Sequence, residues 1–431
     1  MTDNFISAVV ANKKGEIFEL KGYSALGMVG RSFVPLTNNE TYNVPFGTEF
    51  MFLPERVPIL FNRKNEKIEA ISENPYKKGE KVYPVATFNS PGYVITHIPA
   101  YEGTDNCKPL PLFSYGAVGL HKDKFRSAII LVDKERRQDL RLMKIDRVIA
   151  GVKKTRNLFP KNRLVVHLEK CALTYGCPAA KNFFIGRYEA PLPTSQACNA
   201  KCLGCISLQE KKDLSNCQER IAFTPSPEEI AEVAVLHIKN VQNPVVSFGQ
   251  GCEGDPLLSS DVIEEAVKTI RAKTCEGTIN INTNASRPNA LKKLFDAGID
   301  SIRVSLNSVR EECYNAYFRP ARYNFSDVIE SIDIGISNGK FVSINYLNLP
   351  GFTDTIEEVS SLISFIKAHP INMIQWRNLN FDPLYYLKTM YEVTPHTKNI
   401  GMKMALIEIK KAFPKIKFGY FNPPKEKFRY K

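Results

Sequence analysis

Over the first hundred residues the apolar positions fall in short runs, 6–10, 49–53 and 93–98, each interrupted by glycine, proline or asparagine. Runs of that length with that punctuation predict irregular antiparallel β-structure. The period then changes. In 146–158, Val148, Ile149, Val152 and Leu158 share roughly one face of a predicted helix. A stretch holding Cys171 and Cys177 follows and reads as a connector or lid. From residue 193 strand-like and helix-like segments alternate every ~30 residues, which predicts βαβ units and a parallel sheet. Ser226-Pro227-Glu228-Glu229 opens one helix as a capping box with proline in its first turn. A helix beginning at Pro288 stops at Gly298, and Thr355 caps another. With a strand ahead of Cys198 and others at 245–248, 278–283, 301–306, 341–347 and 371–376, six strands are expected. Six such units build either a doubly wound sheet or a partial barrel, and both gather ligands at the C-terminal ends of the strands.

Composition narrows the class. The chain has 431 residues, 43% hydrophobic and 24% charged, and no apolar run approaches the ~20 residues that a membrane span needs. No basic segment followed by an apolar core opens it, so the reading predicts a cytoplasmic protein with no membrane partner. Ten cysteines are too sparse for a disulfide scaffold at this length. More than half of the net charge of +13 lies in 401–431, where nine basic residues face two acidic ones. The expected organisation is a β-rich unit over 1–145, a helical, cysteine-containing connector over 146–192, an α/β unit over 193–400, and a basic helix and tail over 401–431.

The chemistry is concentrated just after the first strand of the α/β unit. Cys198, Cys202 and Cys205 stand in C-x3-C-x2-C spacing. Three thiolates on a tight loop can hold three irons of a [4Fe–4S] cube and leave the fourth open to another ligand. A zinc site is the plainer alternative, but structural zinc sites usually pair four ligands, and the nearest downstream histidine, His237, stands alone. The second strand ends in Gly249-Gln250-Gly251-Cys252-Glu253-Gly254-Asp255-Pro256, where glycines admit a close ligand and an acidic group can meet an ammonium. Asn284, Ser305, Asn307 and Arg377 close later strands. An Arg at the end of a buried strand predicts a carboxylate or phosphate partner.

These motifs, in this order over roughly 193–380, resemble the radical S-adenosylmethionine (radical SAM) superfamily. The resemblance implies a partial (β/α)6 barrel carrying a [4Fe–4S] cluster on Cys198, Cys202 and Cys205. It implies S-adenosylmethionine as the second cofactor, contacted by Glu253, Gly254, Asp255, Asn284, Ser305, Asn307 and Arg377, with Asp255 or Glu253 meeting the methionyl amine. Many members place an aromatic residue before the third cysteine. Gly204 stands there, so the adenine contact has to come from elsewhere, Ile206 being one candidate. The implied chemistry is one-electron cleavage of the sulfonium to a 5′-deoxyadenosyl radical that abstracts hydrogen from a substrate. It calls for a flavodoxin- or ferredoxin-type reductant and a low-oxygen setting. Cys252, beside the expected cosubstrate, is the candidate catalytic hydrogen donor. A small molecule or peptide is the expected substrate. The alternatives are RNA, suggested by the basic tail with its aromatic residues, and a non-enzymatic electron-transfer protein whose cluster is closed by Cys217.

Overall fold

The structure is a computed structural model and describes residues 4–103, 107–209 and 214–428. Arg429, Tyr430 and Lys431 of the basic tail lie outside the described residues.

Seven parallel strands form one sheet: β1 (Glu189–Pro191), β2 (Val245–Phe248), β3 (Thr278–Thr283), β4 (Ser301–Leu306), β5 (Phe341–Asn348), β6 (Met373–Asn378) and β7 (Lys417–Gly419). They lie side by side in the order of the chain. A doubly wound sheet reverses its order at a switch point, whereas here every crossover advances the same way. Right-handed connections then place the helices on one face, and the sheet curls into a partial barrel. The seventh strand exceeds the six expected. The charge of the tail hid it, because Lys417 masks a three-residue strand that pairs with β6.

The two faces of the sheet differ. Val246, Phe248, Ile279, Ile281, Ile302, Val304, Ile344 and Trp376 are buried and face the helices. Trp376 is 1% exposed and packs edge-on against Tyr346 and Phe418. Partners in register share a face, so Ser247, Asn280, Asn282, Arg303, Ser343, Asn345, Gln375 and Arg377 all line the concave side. A polar interior is costly unless it is bonded or holds a ligand.

Three helices precede the barrel: α1 (Ile145–Leu158), α2 (Arg163–Leu173) and α3 (Pro178–Phe184). Helix α4 (Pro227–Asn240) begins with the expected capping box, in which the Ser226 side chain accepts from the Glu229 N–H and the Glu229 carboxylate accepts from the Ser226 N–H. Helices α5 (Ser260–Lys273) and α6 (Pro288–Ala297) follow β2 and β3, and Gly298 ends α6 at φ 122°. Helix α7 (Glu311–Phe318) has only two turns of its own and escaped the pattern. Helices α8 (Phe325–Ser337), α9 (Ile356–Ala368), α10 (Pro383–Val393) and α11 (Met402–Ala412) complete the set.

The N-terminal residues form antiparallel sheets, the largest with ten strands. This unit docks where β5 and β6 end. The Asn378 side chain accepts from the Ile95 N–H (2.9 Å) and donates to the Tyr93 carbonyl (2.9 Å), while Asn348 donates to the Ile95 carbonyl (2.9 Å). A buried ion pair between Arg56 and Asp382 (3.3 Å) adds to the contact. The turn after β5 also meets it: a Cβ on Gly351 would lie 1.9 Å from the Gly30 nitrogen. The β-rich unit therefore sits over the C-terminal rim of the barrel.

Candidate active site

The cysteine loop leaves β1 and is held on three sides. Lys201 and Leu203 donate to the carbonyls of Phe318 and Tyr317 at the end of α7, and Asn380 donates to the Gly204 carbonyl. The Gln209 side chain donates to the carbonyls of Leu203 and Cys205. Gly204 has a local cause: a Cβ there would come within 2.9 Å of the Tyr317 hydroxyl, so an aromatic of α7 fills the space beside the third cysteine. Ile206 lies against Gly251 in the glycine-rich loop.

Burial pushes the Cys198 thiol up to about 11, with the Asp255 charge adding to it, and raises Cys202 well above the usual range. Buried thiols that resist ionisation until a cation arrives suit metal ligation, since binding drives the proton off. His237, the histidine weighed for zinc, is elsewhere: its Nε2 donates to the Tyr188 carbonyl, and burial lowers it to about 4. Cys217, the candidate closing ligand, turns its thiol toward the Leu112 carbonyl (3.9 Å).

The glycine-rich loop is sewn to the cysteine loop. Gly254 donates to the Ser195 carbonyl (2.7 Å) and Asp255 to the Ala197 carbonyl (2.9 Å). A Cβ on Gly254 would stand 1.9 Å from the Ala197 oxygen, so only glycine permits this approach. The Glu253 carboxylate accepts four main-chain N–H bonds, from Thr194 (2.8 Å), Ser195 (3.0 Å), Gly249 (2.7 Å) and Gln250 (2.7 Å). Burial nonetheless raises it to about 7. Asp255 accepts from the Leu257 N–H (3.1 Å), the Thr283 hydroxyl (2.8 Å) and the Asn284 N–H (2.7 Å), and burial raises it too.

A match to known proteins joins this geometry to the chemistry. Residues 192–365 match the radical SAM superfamily profile, spanning both loops. That stretch of the chain is a radical SAM superfamily domain. It is similar to the GTP 3′,8-cyclase of Lactiplantibacillus plantarum, 26% identical over 213 residues that cover 48% of this chain and 59% of that protein. The FeMo cofactor biosynthesis protein NifB of Klebsiella pneumoniae is 25% identical over 179 residues, 38% of each chain. The matched stretch spans somewhat over half the length of the cyclases. Among solved structures, Streptococcus suis SuiB aligns at TM-score 0.39 and 13% identity, over 74% of this chain and 72% of that one. Radical SAM domains use a [4Fe–4S] cluster and S-adenosylmethionine as cofactors, and residues 192–365 carry such a domain.

The other expected contacts are placed as follows. Asn284 donates to the Asn199 side chain (2.8 Å), tying the end of β3 to the cysteine loop. Ser305 pairs in register with Asn345 on the concave face. Asn307 is fully buried and spends its amide on the Cys313 carbonyl (3.0 Å) and the Tyr386 hydroxyl (3.2 Å). Arg377, expected on a carboxylate or phosphate, instead donates to the Asn345 side chain (3.1 Å) and the Tyr420 carbonyl (2.6 Å), with its guanidinium 3.6 Å from the Tyr420 ring centre. The Cys252 thiol meets Cys171 and His167 of α2. Cys252 and His167 hold the Cys171 thiol low, while Cys171 and burial push Cys252 up.

Sequence reasoning missed the interior network. Asn422, after β7, donates to Glu189 (2.9 Å), Ser247 (3.3 Å) and Asn282 (3.2 Å), and accepts from Gln375 (3.0 Å). Glu189 also pairs with Arg137 (2.8 Å), both buried. Arg303 is half-buried, donates to Gln375 (3.0 Å), leaves its inward Nε unbonded, and is lowered to about 9 by desolvation. The alternation of polar residues along β3 to β6 was the available signal.

Proposed function

We propose that the chain is a radical SAM enzyme acting on a small molecule or peptide that carries an anionic group. Cys198, Cys202 and Cys205 hold the cluster, and the carrying observation is their loop, sewn to the glycine-rich loop by two main-chain bonds. When bound, the reduced cluster and S-adenosylmethionine supply a 5′-deoxyadenosyl radical. Asp255 meets the methionyl amine. Glu253 is held by four main-chain N–H groups, whereas one of the three neighbours of Asp255 is the Thr283 hydroxyl, shared between both of its oxygens and free to turn to another acceptor. Glu253 positions the loops, and Gly254, Asn284 and Ser305 complete the rim.

Arg303 is the anion contact. A desolvated guanidinium with an unbonded Nε, facing the concave side, is a site short of a negative partner. The similar cyclases are named for a nucleotide substrate, which agrees with this class. RNA is less favoured, because two described tail aromatics are occupied: Phe428 stacks on Phe341, and Tyr420 lies under Arg377. A flavodoxin- or ferredoxin-type protein is the proposed reductant, and the cytoplasm the proposed location. The test is anaerobic reconstitution with iron and sulfide, then reduction with S-adenosylmethionine. Release of 5′-deoxyadenosine that vanishes in Cys202→Ala is expected. A complete cluster with no cleavage under any reductant would replace this reading with electron transfer.

A further inference from the structure

Outside the cluster loop, three metal-binding side chains meet. His167 Nε2, Cys171 Sγ and Cys252 Sγ all lie within 4.8 Å of one another. His167 and Cys171 are one helical turn apart on α2 and therefore share a face, with the ring nitrogen 3.5 Å from the sulfur. Cys252 arrives from the glycine-rich loop after β2, eighty-one residues away in sequence. Both cysteines are buried, and the His167 ring is braced edge-on by Phe223.

The spacing selects the kind of ion. With Zn–S near ~2.3 Å and Zn–N near ~2.0 Å, tetrahedral ligands of one ion stand ~3.5–3.8 Å apart, which this group nearly satisfies already. A fourth thiol stands beside the group but outside its 4.8 Å limit, so it would have to draw in on loading: Cys177 donates its N–H to the Cys171 carbonyl (2.9 Å) and feels the charge of both Cys171 and Cys252.

We propose that His167, Cys171 and Cys252, with Cys177 as the fourth ligand, bind one mononuclear zinc-type divalent ion that fastens α2 and the start of α3 to the glycine-rich loop. Imidazole and thiolate donors suit a borderline-soft cation, and four protein ligands make a closed, structural site. Binding displaces the three thiol protons to solvent and changes no oxidation state. A metal-bound Cys252 has no S–H to give, so on this proposal it is a ligand and not the hydrogen donor. The ion would hold from behind the loop that carries Glu253 and Asp255.

The test uses the full chain with Cys198, Cys202 and Cys205 changed to Ala, so its failure leaves the radical reading untouched. Anaerobic titration with cobalt(II) is expected to load one equivalent, with sulfur-to-cobalt charge transfer and the intense visible bands of a four-coordinate site, all displaced by zinc. Adding Cys171→Ser or Cys252→Ser should abolish that equivalent. Cys177→Ser should lower the charge-transfer band by roughly one third, two thiolates remaining of three. Weak six-coordinate bands in the starting chain, or binding that persists in Cys171→Ser, would overturn the proposal. So would a Cys171–Cys252 disulfide mapped in anaerobically isolated protein.

Discussion

Gly254→Ala probes the seam between the two loops. Its Cβ would lie 1.9 Å from the Ala197 carbonyl oxygen, a backbone atom that cannot rotate aside, and real Cβ atoms essentially never approach closer than 3.0 Å. The loops must therefore part by at least about 1.1 Å, the difference between those distances. The neighbouring bond from Asp255 N–H to Ala197, now 2.9 Å, would stretch to about 4 Å and be lost. Losing it together with the Gly254 bond costs about 1–3 kcal/mol locally, well short of unfolding the barrel. The catalytic effect is larger, because displacing reacting groups by ~1 Å costs on the order of 10²-fold in rate. We expect Gly254→Ala to assemble normal iron and sulfide but to release 5′-deoxyadenosine about 100-fold more slowly. Gly204→Ala is the control. Its Cβ would press on the Tyr317 hydroxyl at 2.9 Å, the far end of a side chain that can yield, and a far smaller loss should result. A Gly254→Ala enzyme with the parental rate would refute the idea that this contact sets the distance between cluster and cosubstrate.

Three further outcomes follow from the site. Glu253→Gln keeps the shape but turns an NH2 toward two of the four N–H donors, so urea denaturation should show a loss of about 2–6 kcal/mol, at 1–3 per orphaned donor. Arg303→Met removes a desolvated cation that folding does not favour, so its thermal midpoint should hold or rise. Product formation should disappear while abortive 5′-deoxyadenosine release continues, and an unchanged product yield would refute the anion contact. His237 titrates near 4 when folded and near 6.5 when unfolded, so the unfolded chain takes the proton first as pH falls. Stability present above pH 6.5 is therefore lost down to pH 4 by about 3 kcal/mol. His237→Gln, which keeps a donor for the Tyr188 carbonyl, should flatten that part of the profile in denaturation curves.

Local signals carried much of this protein. The C-x3-C-x2-C loop, the run from Gly249 to Pro256, the Ser226 capping box and Gly298 each lie within a few residues, because capping, tight turns and cluster spacing are short-range demands. The order of strands and helices followed from hydrophobic period. Tertiary structure alone decided the rest. That Glu253 is held by main-chain donors alone and Asp255 partly by a hydroxyl depends on Thr194 and Thr283, which packing brings in. The same holds for Tyr317 filling the space beside Gly204, for Asn422 bridging four strands of the sheet, and for His167 and Cys171 reaching Cys252. The Lys417–Gly419 strand looked like a solvated basic tail because three residues carry too little pattern to reveal a partner. Backbone preference is written into neighbouring residues, whereas contacts between distant segments arise from burying the whole chain at once and leave no local mark.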